Sequence, residues 1–467
     1  MAFCDLFFLV TKVILNTMKK IILQLLFLTP FFISAQSGFG EAQLIGDDFQ
    51  TTKVIAADID NDGDIDVLSS GWNYDTIAWY ENLDGQGTFG SVQYVTQSLD
   101  FTQSLSTADF NGDGAIDILA TSKGDDKVVW YENLDGQGTF STAHIIDDFA
   151  NHAEQAMAAD IDGDDDIDVV HALSTESKVV WYENLDGEGN FSAEKIITNT
   201  ATGVYSLDIA DVDGDGFIDV LANSSSIAMP SWYKNDGLGN FGTENIIDLN
   251  GTLKLVTADI DGDNNQDIIK EHIIDGIVKI HWLENTDGLG TFTQNQQITD
   301  IIQPSDIFPE DIDNDGDIDL LITYVGDGKI SWFENLDGLG TFGERRIIED
   351  LASISIVAAD IDGDGYKDVV TRINQSQVVW YKNLTYLGVN DNNLQNIVLI
   401  PNPTSGVIKI ENNAIPINNI TIYNVLGKLV LLQKNTTSVD ITSLQTGIYF
   451  LKINTLEGNI IKKVIKE

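Results

Sequence analysis

The chain has 467 residues, enough for two or three domains or for one large repeat fold. Lys and Arg total 25 against 73 Asp and Glu, which gives a formal net charge of −48. Such a polyanion is repelled by phosphate backbones and by anionic lipid, so these data exclude binding to nucleic acid or to an anionic membrane surface.

The N-terminal residues have the layout of a secretory signal peptide. Basic residues at Lys19 and Lys20 precede a 13-residue apolar run that ends at Ile33, and small residues follow it. We predict a signal peptide over residues 1–35, and we favour a translation start at Met18 over a long membrane anchor. Its removal takes away Cys4, the single cysteine, so the mature chain has no disulfide. No later stretch approaches the ~18 apolar residues of a membrane span, and no membrane insertion is expected in the mature form.

Residues 36–384 contain seven copies of one sequence unit. Residues 37–384 carry 15 basic and 67 acidic residues, and the composition changes abruptly near residue 385. Seven tryptophans recur at spacings of 51, 51, 51, 50, 50 and 48 residues, at Trp79, Trp130, Trp181, Trp232, Trp282, Trp332 and Trp380. A period near 50 residues indicates a solenoid or a propeller.

Each unit reads as four β-strands: one before an Asp-rich loop, one after it, one with the Trp, and one with a Phe about ten residues later. Four-stranded units at this period are typical of propeller blades. The Phe39 segment has no Asp loop or Trp strand before it, and the Trp380 strand has no Phe strand after it. We therefore predict an all-β fold, a seven-bladed β-propeller closed by the N-terminal strand, rather than an open solenoid with capping repeats.

The Asp-rich loops share the frame D-x-[DN]-x-D-G-x-x-D, whose positions are numbered 1 to 9 below. Side chains at positions 1, 3, 5 and 9, together with the carbonyl at position 7, suit a hard cation that wants six to eight oxygens. Asp165 and Asn264 replace the Gly at position 6, and both residue types tolerate the left-handed turn. The predicted metal residues are Asp58, Asp60, Asp62, Asp64 and Asp66 in loop 1; Asp109, Asn111, Asp113, Ala115 and Asp117 in loop 2; Asp160, Asp162, Asp164, Asp166 and Asp168 in loop 3; Asp211, Asp213, Asp215, Phe217 and Asp219 in loop 4; Asp259, Asp261, Asp263, Asn265 and Asp267 in loop 5; Asp311, Asp313, Asp315, Asp317 and Asp319 in loop 6; and Asp360, Asp362, Asp364, Tyr366 and Asp368 in loop 7.

Calcium is the cation that this donor set fits best. Zinc and copper are disfavoured because the loops offer no sulfur or imidazole, and magnesium prefers fewer protein ligands. An EF-hand would need an acidic residue at position 12 and flanking helices, and none of the seven loops has that residue. We expect up to seven calcium ions, one per blade, with Asn111 leaving loop 2 one carboxylate short.

Loop, Trp strand and Phe-Gly strand together resemble the FG-GAP/VCBS repeats of integrin α-chain propellers and of many secreted bacterial proteins. The resemblance covers residues 38–384 and implies calcium in the hairpin between the first two strands of each blade. Integrin propellers bind their ligands away from the calcium loops, which implies a partner on the opposite face. There the loops vary between blades, and Trp72 and Tyr74 are the predicted partner-binding residues, because exposed aromatics stack on sugars or anchor protein contacts.

Residues 385–398 form an Asn-rich linker, and residues 399–467 have alternating β-runs with Gly turns that predict a small antiparallel β-sandwich. Pro-Asn-Pro-Thr-Ser-Gly from Pro401, Tyr-Asn-x-x-Gly from Tyr423, Leu-x-x-Gly-Ile-Tyr-Phe from Leu444, and Lys462-Lys463 occur in that order. This segment resembles the type-A C-terminal sorting domain of the type IX secretion system. The resemblance implies a Bacteroidota host, passage through the type IX machinery, and a secreted or outer-membrane surface location.

No catalytic motif is apparent, since the five histidines fall at different places in different repeats and no nucleophile or phosphate-loop signature occurs. We expect a monomeric binding or adhesion module for a glycan or an extracellular protein. The alternatives are a polysaccharide lyase or hydrolase built on a propeller, and a surface-layer protein without a discrete ligand.

Overall fold

The computed structural model describes residues 38–47, 50–71, 75–224, 229–248, 254–274, 277–299, 304–385, 398–411, 417–424, 428–434, 437–455 and 458–467. The predicted signal peptide, the predicted linker from residue 386 onward, and Trp72 and Tyr74 lie outside these residues. Within them, no helix is long and apolar enough to cross a membrane.

The described residues fold into short strands. In chain order, those before residue 385 are β1 Gln43–Gly46, β2 Thr51–Ala57, β3 Asp66–Gly71, β4 Thr76–Tyr80, β5 Gln93–Thr96, β6 Thr102–Ala108, β7 Asp117–Ser122, β8 Lys127–Tyr131, β9 His144–Asp147, β10 Ala153–Ala159, β11 Asp168–Leu173, β12 Lys178–Tyr182, β13 Lys195–Thr198, β14 Val204–Ala210, β15 Asp219–Ser224, β16 Ser231–Tyr233, β17 Asn245–Ile246, β18 Leu255–Ala258, β19 Asp267–Ile274, β20 Ile277–Asn285, β21 Phe292–Thr299, β22 Pro304–Glu310, β23 Asp319–Tyr324, β24 Lys329–Phe333, β25 Arg346–Glu349, β26 Ile356–Ala359, β27 Asp368–Ile373 and β28 Gln377–Tyr381.

These strands make seven antiparallel sheets of four strands each within the described part of the chain. Sheets 1 to 6 each take four consecutive strands, beginning with β2 to β5. Sheet 7 has the order β1-β28-β27-β26, so its outer strand comes from the N-terminal end of the chain. Leu44 of β1 lies opposite Val379 of β28, which confirms the predicted pairing of the N-terminal strand with the last Trp strand.

The fourth strand of most sheets differs from the sequence prediction in one respect. Phe89 forms an isolated bridge with Asn82, and β5 begins only at Gln93. The same bridge precedes the outer strand in sheets 2, 3, 4, 6 and 7, whereas Phe292 starts β21 in sheet 5. Side-chain type alone predicted a strand at each Phe, whereas in six sheets the ladder is interrupted between the Phe and the outer strand.

The hydrophobic core of this region lies between sheets rather than within them. Each of seven buried clusters combines residues of two sheets, and six of them join sheets that follow one another along the chain. The seventh cluster joins the first and last sheets, with Val54 and Tyr80 packed among Ile361 and Trp380. Sheet 1 therefore buries apolar side chains against sheet 7 as well as against sheet 2.

Six of the seven tryptophans pack under the Asp-Gly-x-Gly turn of the following sheet, and Trp332 lies beside Gly38 instead. Gly138 of sheet 2 has φ +78°, and a Cβ there would lie 2.1 Å from Cζ2 of Trp79. Gly87 of sheet 1 has φ +80° and stands in the same relation to Trp380 of sheet 7, at 2.2 Å. Only glycine satisfies both the backbone angle and this close approach.

A side-chain amide repeats at every junction. Asn133 donates a hydrogen bond from Nδ2 to the carbonyl of Ile59 in the previous sheet, at 2.7 Å. Equivalent bonds leave Asn184, Asn235, Asn285, Asn335 and Asn383, each to the preceding sheet. Asn82 of sheet 1 makes the same bond to Ile361 of sheet 7, at 2.8 Å.

The C-terminal residues form two further sheets. Strands β29 Val398–Ile400, β30 Val407–Glu411 and β33 Ser438–Asp440 make the first, and β32 Leu429–Lys434, β31 Ile417–Asn424, β34 Gly447–Thr455 and β35 Gly458–Lys466 make the second. One buried cluster draws on both, with Ile408 from the first sheet and Ile422 and Leu451 from the second. This region therefore has a core of its own, built on alternating apolar positions.

Candidate metal centres

The backbone of every Asp loop passes through two left-handed residues. At position 6 the φ angles run from 68° to 98°, and Asp165 and Asn264 adopt 72° and 68°, as predicted for these two substitutes for Gly. Position 4 is also left-handed in all seven loops, and Gly or Asn always occupies it: Asn61, Gly112, Gly163, Gly214, Gly262, Asn314 and Gly363. The sequence frame left position 4 open, although the restriction to these two residue types was a readable signal.

The carboxylate at position 1 holds the loop in shape. Asp109 accepts hydrogen bonds from the backbone N–H of Asp113, at 3.2 Å, and of Gly114, at 2.8 Å. The Asp311 and Asp360 carboxylates make the same pair of contacts in loops 6 and 7. Backbone donors thus fix the position-1 carboxylate without any ion.

The carboxylate at position 3 has an unsatisfied oxygen. Among the described residues, Oδ1 of this Asp is buried without a hydrogen-bond partner in six loops, at Asp60, Asp162, Asp213, Asp261, Asp313 and Asp362. Loop 2 has Asn111 here, and its Oδ1 accepts from the backbone N–H of Asp113 at 3.1 Å. Leaving a buried carboxylate oxygen unpaired costs about 1–3 kcal/mol or more, so the six sites fit a cation ligand at this atom.

Carboxylates of one loop crowd around this oxygen. In loop 1, ligand atoms of Asp58, Asp60 and Asp62 lie within 4.8 Å of one another. Matching groups occur in other loops: Asp160 with Asp162 and Asp168, Asp211 with Asp213 and Asp219, Asp259 with Asp261 and Asp263, and Asp311 with Asp313 and Asp315. Groups of three carboxylate oxygens are the donors that a hard divalent cation prefers.

Crowding and burial change the acidity of these groups. Burial, followed by the charges of Asp164 and Glu183, raises the pKa of Asp162 to about 6. Burial and the charges of Asp315 and Glu334 raise the pKa of Asp313 to about 7. Both carboxylates are harder to ionise than in water because like charges face them, and a bound divalent cation would favour the ionised form.

The position-9 carboxylate is buried in every loop and ties the loop to the Trp strand. Asp66 accepts a bond from the Ile59 N–H at 2.9 Å on one oxygen and from the Asn82 N–H at 2.8 Å on the other. Burial raises the pKa of Asp66 to about 7 against these lowering hydrogen bonds. The same two contacts recur at Asp117, Asp168, Asp219, Asp267, Asp319 and Asp368.

In sheets 1 to 6, position 7 brings the Asp loop against the Asp-Gly turn of its own sheet. A Cβ at Gly85 would lie 2.2 Å from Oδ1 of Asp64, and one at Gly237 would lie 2.3 Å from the Phe217 ring. The side chain at position 7 therefore varies while the contact with the turn is kept. The Asp loops and the Asp-Gly-x-Gly turns lie side by side at one end of these six sheets.

Each Asn that bonds to the preceding sheet, called the junction Asn below, follows a charged residue. This charged residue was not among the predicted site residues. It is Glu in five sheets, at Glu81, Glu132, Glu183, Glu284 and Glu334, and Lys in two, at Lys234 and Lys382. Asn111 Nδ2 donates to Oε1 of Glu132 at 3.3 Å, and Lys234 Nζ lies 2.8 Å from Oδ2 of Asp215. This residue therefore reaches the Asp loop across a separation of about twenty positions, which the loop motif alone does not reveal.

Comparison with protein families agrees with this repeated geometry. Residues 58–120, 109–171, 160–222 and 311–371 each match the FG-GAP-like repeat. The chain carries FG-GAP-like repeats. Residues 398–467 match the secretion system C-terminal sorting domain, so the protein also carries a type IX sorting tail. A search of curated proteins finds no match.

The sorting domain marks the FG-GAP-repeat protein for export, to be secreted or attached to the cell surface. The FG-GAP matches include six of the seven Asp loops, and the loop that begins at Asp259 lies outside the matched residues. FG-GAP-like repeats commonly bind calcium. The groups of three carboxylates described above could hold metal ions.

Proposed function

We propose that the protein is an exported calcium-binding module in which residues 36–384 form a closed seven-bladed propeller. In this proposal the Asp loops hold up to seven calcium ions, with oxygens from positions 1, 3, 5 and 9 and the carbonyl of position 7. The propeller presents its loops to a glycan or an extracellular protein. Residues 1–35 direct export, residues 385–398 link the modules, and residues 399–467 engage the type IX machinery in a Bacteroidota host.

Ring closure is supported by the repetition of the same three contacts where the last sheet meets the first. Buried clusters, the amide-to-carbonyl bond of the Asn, and the Trp under the turn glycine occur between sheets 1 and 2 and also between sheets 7 and 1. Contacts between the last and the first sheet that match those between consecutive sheets are expected of a closed propeller and not of an open solenoid. A closed ring also removes exposed sheet edges.

The observation that carries the calcium proposal is the buried, unpartnered oxygen at position 3. It recurs at one place in six loops beside two or more further carboxylates. Calcium would supply a partner for that oxygen and neutralise the crowded charges, while the protein residues orient the donors. Seven ions would carry fourteen positive charges and leave the propeller strongly acidic.

The test is thermal unfolding of the purified protein with calcium and with excess chelator, at low salt. Binding to the native state alone stabilises by about 2.7 kcal/mol per site at a hundredfold excess over Kd. We expect a large fall in melting temperature on chelation that calcium, but not an equal ionic strength of sodium, reverses. A melting temperature that does not respond to chelator would reject the proposal.

The partner is proposed to bind at the loops between the second and third strands and between successive sheets, which differ in sequence. Phe149 lies on such a loop and its side chain is 81% exposed. It borders a cleft of about 370 Å³ whose lining includes Tyr182, Asp147 and Lys178. An exposed aromatic beside hydroxyl and carboxylate groups suits a sugar face or a protein anchor. Trp72 and Tyr74 remain the predictions from sequence for this surface.

A binding role is proposed over a polysaccharide lyase or hydrolase. His171 is fully buried, and His144 stacks on Trp130 with ring centroids 4.6 Å apart. The buried His171 is not placed as a solvent-facing base, and the exposed His144 is held by this stacking and by a 3.6 Å contact with Glu132. FG-GAP-like repeats are typically non-catalytic, which agrees with the absence of a recognisable catalytic motif in the sequence.

Two experiments test the partner and the export route. A glycan and protein array, probed with calcium present, should give a ligand whose binding falls when Phe149, Trp72 and Tyr74 are replaced by Ala, with the melting temperature kept. Unchanged binding in that variant would place the partner elsewhere. Removal of residues 399–467 should retain the protein inside the cell, and efficient secretion of the truncated protein would contradict the sorting role.

A further inference from the structure

The seven Asp loops are not electrostatically equivalent, because the residue before the junction Asn changes sign. In sheets 1, 2, 3, 5 and 6 it is Glu, and in sheets 4 and 7 it is Lys. The loops themselves keep Asp at positions 1, 3, 5 and 9 in sheets 4 and 7. The two lysines therefore reverse a charge beside an otherwise unchanged donor set.

Each lysine contacts the carboxylates at positions 3 and 5 on their Oδ2 atoms, while the buried Oδ1 at position 3 has no hydrogen-bond partner. Lys234 Nζ makes an ion pair with Oδ2 of Asp213 and lies 2.8 Å from Oδ2 of Asp215. These carboxylates occupy positions 3 and 5 of loop 4, and the Asp213 side chain is only 9% exposed. One ammonium group thus bridges the two carboxylates at the centre of the loop.

Sheet 7 repeats this arrangement with a different set of neighbours. Lys382 Nζ makes an ion pair with Oδ2 of Asp362 and lies 2.9 Å from Oδ2 of Asp364. The Asp362 side chain is again 9% exposed. Sheets 4 and 7 are far apart in the chain, and the lysine makes the same two contacts in both. A lysine at this position therefore contacts the Asp loop whatever its other neighbours are.

The residue opposite the Trp on the outer strand differs between sheets with Glu and sheets with Lys before the junction Asn. Opposite the Trp stand His144, Lys195 and Arg346 in three of the Glu sheets, and each pairs with its Glu. Opposite the Trp in the two Lys sheets stand the neutral Asn245 and Gln43. The other two Glu sheets have the neutral Gln93 and Gln296 there, so a basic residue at this place occurs only beside Glu and never beside Lys.

On the basis of the calcium binding proposed above, we infer that the ammonium groups of Lys234 and Lys382 take the place of the cation in loops 4 and 7. A divalent ion held by the same two carboxylates would lie within a few ångströms of the ammonium group, and the two positive charges would repel each other. Loops 4 and 7 are then partly neutralised by a lysine of the chain itself, and the other five loops depend on calcium.

The test compares the number of calcium ions bound per chain, measured by equilibrium dialysis, in the wild type and in two variants of the purified protein. The double variant Lys234→Glu/Lys382→Glu gives loops 4 and 7 the residue of the other sheets and is expected to bind two more ions. Glu81→Lys places a lysine beside loop 1, where Gln93 is neutral, and is expected to bind one ion fewer. Unfolding in chelator provides a second readout, because the double variant should melt lower than the wild type without calcium and regain stability with it.

The possible results separate this inference from the proposed function. A double variant that binds no more ions than the wild type, while keeping its circular dichroism spectrum, overturns the lysine role. If that variant fails to fold, Glu81→Lys decides, and an unchanged ion count in it overturns the inference. A wild type and variants that all bind no calcium would instead reject the calcium proposal itself.

Discussion

The side-chain amide of Asn82 donates a hydrogen bond to the backbone carbonyl of Ile361, 2.8 Å away and 279 positions later in the chain. The same asparagine accepts a bond on Oδ1 from the Gly87 N–H, at 3.1 Å, and so shapes the turn of its own sheet. One buried residue therefore joins sheet 1 to sheet 7 and fixes the turn that receives Trp380. Asn184 does the same between sheets 3 and 2.

Replacement of this asparagine should weaken the whole fold. Asn82→Ala leaves the buried carbonyl of Ile361 and the N–H of Gly87 without partners, and each such group costs about 1–3 kcal/mol. We expect a loss of at least about 2 kcal/mol in the free energy of unfolding, measured with denaturant. Asn184→Ala is the matched control and should lose a similar amount. A much smaller loss for Asn82→Ala would mean that sheets 1 and 7 do not depend on each other as consecutive sheets do.

Removal of residues 37–46 should harm folding more than their number suggests. These residues include β1, which pairs with β28 and contributes Ile45 to the core between sheets 7 and 1. Without β1 the edge of β28 is exposed, and exposed edges pair with other chains. We expect a lower melting temperature and self-association in gel filtration. A truncated protein that remains monomeric with an unchanged melting temperature would refute the role of β1 as the closing strand.

Asn111→Asp should strengthen cation binding at loop 2. Asn111 Nδ2 donates to Oδ2 of Asp113 at 3.2 Å and to Glu132, so its amide partly neutralises the loop. An Asp there adds a carboxylate and removes both donors, which should lower stability in chelator and increase the calcium-induced rise in melting temperature. Asp162→Asn in loop 3 is the reverse control and should reduce that rise. Equal rises in the wild type and both variants would show that position 3 does not bind the ion.

His171 predicts a pH dependence of stability. Burial lowers the folded-state pKa of His171 to about 4, against the weaker opposing effect of Asp147, whereas the unfolded chain has the ordinary value of about 6.5. Between these two values the unfolded state binds more protons, so the contribution of His171 to stability is present above about pH 6.5 and is lost as the pH falls toward 4.

The measurement compares denaturant unfolding of the wild type and of His171→Gln at several pH values. The wild type should lose about 3 kcal/mol relative to the variant between pH 7 and pH 4. A difference between the two proteins that does not change with pH would show that the ring is not held neutral in the folded state. The comparison cancels the many carboxylates that titrate in the same range, since both proteins contain them.

The sequence alone determined the strands, the loops and the strand that completes the last sheet. A side chain's residue type is enough to predict an extended segment or a left-handed turn, since these depend on neighbouring backbone atoms. Asp165 and Asn264 accordingly turn as expected. The first unit, at Phe39, has only the fourth strand of a sheet, and the last unit, at Trp380, lacks that strand. Comparison with the complete units therefore predicted the pairing of β1 with β28.

Only the tertiary structure decided which atoms meet between sheets. The carbonyl that receives the Asn133 amide is 74 positions away, and no local pattern identifies it. The sequence shows the seven asparagines that join the sheets and the Glu or Lys before each of them. Their roles depend on packing between neighbouring sheets. The Asp66 carboxylate was predicted from the motif as one more cation ligand. Its burial and its two backbone donors show that it also anchors the loop, because a carboxylate removed from water takes whatever donors the fold places around it.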